Sequence, residues 1–533
     1  MLEATPAVPP SPEVEAAHAA DVARAEERGE QVPLRKRLRW PFLATFLVEL
    51  LLVLGDRIPS VDSMSYFETG RNFVNGRGYT RNGAPEMHFP PIAPVSFGLL
   101  EKVLGNQMYA LRTWELFWTL AAVGILTAVA WFISREDDVV VATAWIAVTV
   151  PGVVALSIRA GSGSELPVVV MLLASGLLTL LAVDRTSDRS TAKRLGLLVG
   201  AGALVGLAYL TRPEALMPGA VVGLAVVLFA LRDPDKNWGQ RFATMLKHGA
   251  AFGLATLVFV APYVNYTHSN SGSWSLTSKT KDASIDAWRA VAQDDRLERD
   301  QILYSIQPDG VSLGPETVSL TAIAREHPRN WLTIAWINTT TIFGDYVGRP
   351  WETGPTWELI PLFLTVPAIW QMWKTRKRGS TLLFVGLGAA PLATCFLFFA
   401  LPRYLMMTTA VLIPFGAWGL VTWTNRLALG RRRLAWWVMG GLMVLSLIVA
   451  SWNLLPYSNT AERTEQRTAG EWIAENTPAN ARIMTRSFHV QGYSNRDVVA
   501  MPSAEYRAML EFARRMGVKY IVADENTIKR RRP

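Results

Sequence analysis

Eleven mostly apolar runs of roughly 16 to 25 residues dominate the chain, near 39–55, 108–133, 138–158, 165–183, 194–210, 214–231, 246–266, 356–373, 380–400, 403–424 and 434–454. About 20 apolar residues are what a helix needs to cross about 30 Å of hydrocarbon. Inside lipid a spanning segment must satisfy its own backbone hydrogen bonds, which a helix does. The runs therefore predict an all-α polytopic membrane protein of about eleven transmembrane helices. Only 18% of the 533 residues are charged, against about 25% in soluble chains. The net charge of +9 does not indicate nucleic acid, because the Lys and Arg sit between the apolar runs. One cysteine, Cys395, excludes an intrachain disulfide.

Residues 1–38 open with an Ala-, Pro- and Glu-rich stretch and read as a disordered cytoplasmic segment. They lack the charged start and short apolar core of a cleaved signal peptide, so the first span is expected to remain as an anchor. Lysine and arginine flanks then orient the bundle. With the N-terminus in the cytoplasm, the inner flanks at 35–39, 134–138, 184–194, 232–247, 374–378 and 426–433 hold 4, 1, 4, 4, 4 and 4 of them. The short outer turns hold one each, Arg159, Arg212 and Arg403. The transmembrane module is thus 39–454, with external loops 56–107 and 267–355. The break at "TRPE" leaves open a re-entrant turn. Residues 455–533 read as a small extracytoplasmic α/β domain, with a helix in "TAGEWIAENTPANARIM", a strand in "RDVVAMP", then "EYRAMLEFARRMGV" and "KYIVADE".

Chemistry is expected at the outer face. Helices entering from that side turn their free N–H groups and positive dipole ends outward, which suits anions. Arg212 in "YLTRPEALMP" and Arg403, followed by Tyr404, in "FALPRYLMM" stand at two such ends. A cation there is unfavourable by about 0.3–1 kcal/mol, so either a bound phosphate offsets it or the side chains snorkel to headgroups. Asp62 precedes a short helix, "SMSYFETGRNFVNG". It is either that helix's N-cap or a general base, with Tyr66 one turn on along the same face. Glu165 in "RAGSGSELPVV" complements the dipole of the fourth span or belongs to a site. Arg112 lies one turn before Glu115, so it either pairs with that intramembrane acid or serves a substrate. "EMHFPPIAPVSFGLLEKVLG" supplies His88, a rigid Pro-Pro turn and an amphipathic interfacial helix. Lys279 in "GSWSLTSKTKD" is placed to reach a phosphate, whereas the charged stretch "AWRAVAQDDRLERDQILY" reads as a solvated helix. Gly70, Gly76 and Gly78 are expected to form tight turns near a substrate. The outer loops hold no "DxD" pair for a divalent cation, and no cofactor is implied.

These segments, in order, carry a resemblance. Asp62 and Tyr66, "GRNFVNGRGYTRNG" and "HFPPIAP" resemble the first external loop of the GT-C superfamily, in its dolichyl-phosphate-mannose protein mannosyltransferase and lipid A aminoarabinose transferase branch. "PPIAP" departs from that branch's "PPLYP". "GSGSELP", "LTRPEAL" and "PRYLMM" are similar to its further motifs, and the C-terminal segment is similar to the external domain of bacterial members. The resemblance implies an inverting hexosyl- or pentosyltransferase with a polyprenyl-phosphate sugar donor and a lipid, glycan or protein acceptor. It implies Asp62 as the catalytic carboxylate, acting as general base, Glu165 at a second acidic position, and Arg212 and Arg403 near the lipid phosphate. A multi-pass transporter of an anionic or lipid-linked substrate is the alternative, for which internal repeats and mid-membrane ionisable groups would speak.

Overall fold

A computed structural model of the chain describes residues 33–53, 61–81, 84–149, 163–184, 189–279, 304–310, 362–397, 402–454 and 460–523, with isolated positions between 313 and 339. Arg159 and the stretch "AWRAVAQDDRLERDQIL" lie outside them.

Each of the eleven predicted spans overlaps a helix among the described residues, with 150–158 and 356–361 lying outside them: α1 (Leu34–Val53), α4 (Gln107–Ser134), α5 (Asp137–Thr149), α6 (Glu165–Val183), α7 (Thr191–Thr211), α8 (Leu216–Leu231), α9 (Trp238–Ser271), α10 (Leu362–Thr375), α11 (Gly379–Leu397), α12 (Met406–Thr424) and α13 (Leu429–Leu454). Seven helices among the described residues are long and apolar enough to cross a membrane by length and composition. The chain is a multi-pass membrane protein. α12 is apolar on every face, which suits a helix surrounded by others. It packs against α10, α5, α11, α4 and α6, and 83% of its spanning window is buried. α9 lies at the other extreme, 11% buried, with Leu254, Leu257 and Val258 exposed on the bundle's rim.

Between α7 and α8 the break at "TRPE" is a one-turn 3-10 helix, Pro213–Ala215. Both flanking segments have spanning length, so this is a turn between spans and not a re-entrant one. Pro213 disfavours the α region for the residue before it. Arg212 is accordingly extended, at φ −151° and ψ 127°, and α7 stops there.

Two further helices cap the bundle end at which α6 and α8 begin: α2 (Val61–Val74) and α3 (Ile92–Leu104), with the short pair β1 (Thr80–Arg81) and β2 (Ala84–Pro85) between them. α3 exposes Leu99, Val103 and Leu104, the apolar side expected of an interfacial helix. Gly76 and Gly78 adopt left-handed φ values of 74° and 83°, as expected of turns. Gly70 does not. It lies within α2, where an added Cβ would stand 1.9 Å from the Pro94 carbonyl oxygen and 2.7 Å from the Gly98 nitrogen. Gly70 and Gly98 thus let the backbones of α2 and α3 touch.

The C-terminal segment forms α14 (Thr460–Asn476), β3 (Arg482–Thr485), α15 (Phe488–Ser494), β4 (Asp497–Ala500), α16 (Tyr506–Arg515) and β5 (Tyr520–Val522). Its strands are parallel in the order β4-β3-β5, with helical crossovers as parallel pairing requires. This corrects the expected helix over "TAGEWIAENTPANARIM". Pro478 follows the end of α14, and "RIMT" becomes the central strand, whose Ile483 and Met484 are fully buried.

Candidate active site

Ser164 and Glu165 open α6, Arg212 closes α7, and Glu214 lies in the one-turn helix that follows. All four meet at the capped end of the bundle. Arg212 Nη1 donates to Glu165 Oε1 at 2.5 Å and to Ser164 Oγ at 3.0 Å, and its Nη2 donates to Glu214 Oε1 at 3.4 Å. The guanidinium lies 5.2 Å from the Tyr404 ring centroid, within cation–π range. Tyr66 OH donates to the same Ser164 Oγ at 3.1 Å. Burial raises the Tyr66 phenol well above its ordinary value, with Arg212 opposing and Asp62 adding to the rise. It therefore stays protonated and serves as a donor.

Asp62 lies in the first turn of α2, inside the helix and not at its cap position. It stands one turn before Tyr66 and is half-buried. Its charge acts on Tyr66 and on Lys279. Lys279 Nζ is 3.3 Å from Glu214 Oε1 and 5.5 Å from the Phe89 ring centroid. Burial pulls the Lys279 ammonium below its ordinary value, against Glu214 and Asp62.

The loop segments that bring Lys279 and His88 here are tied by named bonds. Ser278 Oγ and Tyr263 OH both donate to the Met87 carbonyl, at 2.7 and 2.9 Å. Tyr209 OH donates to the Leu276 carbonyl at 2.7 Å. Glu86 pairs with Arg81 and accepts from the backbone N–H groups of His88 and Phe89. Tyr79 OH donates to the Phe89 carbonyl at 2.5 Å. Gly163, at φ 64°, leaves its carbonyl to accept from Trp114 Nε1 at 2.5 Å, and a Cβ there would meet the Phe97 ring at 2.9 Å. Gly163 is thus a packing device beside Ser164.

The structure therefore brings together Asp62, Tyr66, His88, Glu165, Arg212, Lys279 and Tyr404. Arg403 lies in the 3-10 turn Pro402–Leu405 that leads into α12, its side chain outside the described residues. Arg112 stands apart: its Nη1 is 2.9 Å from Glu115 Oε2 within α4, both buried, and both act on Glu49 of α1. Glu165 and Glu214 offset the cost of the Arg212 cation at a helix N-terminus. Ser164, Glu214, Phe89 and the Arg81–Glu86 pair were not anticipated. Only Glu214 carried a signal, as an acid two residues from Arg212.

His88 is held far below the ordinary imidazole range by burial first, then by Lys279 and Arg81. Below about pH 6.5 an unfolded chain takes up a proton that the folded His88 refuses. Stability therefore falls on acidification, by at most about 1.4 kcal/mol per pH unit for this group. His88→Gln is expected to flatten the fall in melting temperature between pH 7 and pH 5; an unchanged slope would show that His88 does not carry it.

No protein-family model matches the chain, and no curated protein shows significant sequence similarity to it. Solved structures do match. The apo oligosaccharyltransferase of Archaeoglobus fulgidus aligns at TM-score 0.55 and 12% identity, over 93% of this chain and 70% of that one. ArnT from Cupriavidus metallidurans bound to undecaprenyl phosphate aligns at TM-score 0.57 and 13% identity, over 90% and 88%. The same ArnT in its apo state gives 0.54 and 15%, over 91% and 89%. Over about nine-tenths of its length the chain thus shares the overall fold of these membrane enzymes.

Proposed function

We propose that the chain is a membrane glycosyltransferase that moves a sugar from a polyprenyl-phosphate donor to an acceptor hydroxyl, with inversion, at the extracytoplasmic face. The observation that carries this reading is one cluster, on a GT-C bundle, in which Glu214 joins Lys279 to Arg212 and the charge of Asp62 acts on Lys279 and on Tyr66, the tyrosine that shares Ser164 with Arg212. The acceptor oxygen attacks the anomeric carbon as the bond from that carbon to the phosphate oxygen breaks. Asp62 takes the hydroxyl proton. A carboxylate in hydrogen-bond reach supplies about 10²–10⁴-fold in such a step. Polyprenyl phosphate leaves with one more negative charge, which Lys279 and Arg212 neutralise in a largely water-excluded site. Glu165 and Glu214 hold these cations in place before the donor arrives. α3 packs Ala93 and Phe97 against Tyr66 and exposes Leu99, Val103 and Leu104, an apolar face suited to lipid. The ArnT structure with undecaprenyl phosphate supports a polyprenyl lipid as partner, and the Lys and Arg flanks support a cytoplasmic N-terminus.

The test uses purified full-length protein in lipid nanodiscs with undecaprenyl-phosphate-linked hexoses and pentoses and a cell-envelope acceptor fraction. Release of undecaprenyl phosphate coupled to labelled acceptor is the expected result. Absence of both transfer and undecaprenyl-phosphate binding would overturn the reading.

A further inference from the structure

α2 carries Asp62 on one side and meets the C-terminal module on the other. At about 100° per residue, Met64, Glu68 and Arg71 form a single stripe on the opposite side of the helix from Asp62 and Tyr66. That stripe meets α15. A Cβ on Gly492 would stand 2.4 Å from Met64 Sδ and 3.3 Å from Met64 Cγ, and Met64 is 1% exposed. Glu68 accepts a hydrogen bond from Gln491. Arg71 reaches both ways. It pairs with Glu101 of α3 at 3.0 Å, and donates to Asn495 Oδ1 at 3.2 Å and to the Gly492 carbonyl at 3.4 Å. Gln107, the first residue of α4, donates to that same carbonyl at 3.2 Å. The last carbonyls of a helix lack partners within it. Here the Gly492 carbonyl is supplied by donors from α2 and α4, whereas the Gln491 and Ser494 carbonyls accept from Ser494 Oγ and Arg496 within the module, so one carbonyl at the end of α15 takes its partners from the bundle.

We propose that the C-terminal module is a clamp: α15, seated on Met64, Glu68 and Arg71, sets the position of α2 and so of Asp62. Met64, Arg71, Gln491 and Gly492 are positioning residues, and the proposal rests on the transferase reading only for its effect on turnover. Misplacing a reacting group by about 1 Å can cost on the order of 10²-fold, and Met64 lies two residues from Asp62.

In full-length protein in nanodiscs, Gly492→Val is expected to lower kcat at least about tenfold with donor KM within about twofold. Amide exchange over 61–74 speeds up, while β3 and β4 exchange as in the unaltered protein. Gly492→Ala gives a smaller loss, and adding Met64→Ala, which clears the space, recovers it; a defect confined to the module would not recover. Should Gly492→Val unfold the module, seen as lost protection in β3 and β4, the Arg71→Gln/Gln491→Leu variant carries the same expectations. Unchanged exchange over 61–74, unchanged kcat despite faster exchange, or a double variant no better than Gly492→Ala each overturns the clamp. Exchange is read without substrate. An unaltered protein that transfers no sugar would therefore sink the transferase reading and leave the seating of α15 on α2 to be decided by exchange alone.

Discussion

Asp62→Asn is expected to lower single-turnover transfer by roughly 10²–10⁴-fold and to leave the affinity for undecaprenyl phosphate within about twofold. The amide keeps the shape of the carboxylate but cannot accept the acceptor's proton, so the loss falls on the chemical step. Donor affinity is spared because the phosphate is assigned to Arg212 and Lys279, whose partners Glu165 and Glu214 are untouched. The contrasting variant is Lys279→Met. It removes a cation that attracts the phosphate and leaves Asp62 in place, so donor affinity falls and the remaining turnover keeps its dependence on Asp62. A binding titration beside single-turnover rates separates the two. Turnover within a few-fold of normal in Asp62→Asn would remove that residue from the role of base and leave the fold unaffected.

How much of this was legible in the sequence depends on the range over which each signal acts. Hydropathy is local, so each predicted span overlaps a helix; α6 over Glu165–Val183 coincides with its predicted bounds, while α9 over Trp238–Ser271 runs beyond the predicted 246–266 at both ends. Turn glycines are local too, and Gly76 and Gly78 follow that rule. Gly70 has the same letter but a tertiary reason, the contact between α2 and α3. In the tail, "RIMT" continues an apolar pattern after a helix, and only its pairing with β4 and β5 makes it a strand. The site divides along the same line. Asp62, Glu165 and Arg212 each stand at a helix end, where a charged residue draws notice. That Arg212 binds Glu165 across 47 positions, or that Glu214 joins Arg212 to Lys279 across 65, no local pattern announces. Arg71 and Gly492, 421 positions apart, were equally invisible.

The Arg212–Glu165 pair has the largest expected effect on stability, and its variants separate holding the fold from catalysis. Both side chains are at least nine-tenths buried. Truncating one partner of a buried pair typically costs about 3–5 kcal/mol, because the other charge is left without compensation. Arg212→Met abandons Glu165, whereas Glu214 retains Lys279, so its melting temperature is expected to fall furthest. Glu165→Gln keeps an acceptor for Arg212 Nη1 and should cost about 1–3 kcal/mol. The double variant Glu165→Leu/Arg212→Met removes both charges and replaces them with apolar groups, a change that is often neutral or stabilising for buried pairs. Its melting temperature is expected to return most of the way, yet its donor affinity stays as low as that of Arg212→Met, since the guanidinium is gone in both. Stability and donor binding thus part company in one protein. If the double variant melted as low as Arg212→Met, an uncompensated Glu165 would not be the cause of the loss. If it bound undecaprenyl phosphate normally, Arg212 would be a structural cation only, and the phosphate would fall to Lys279.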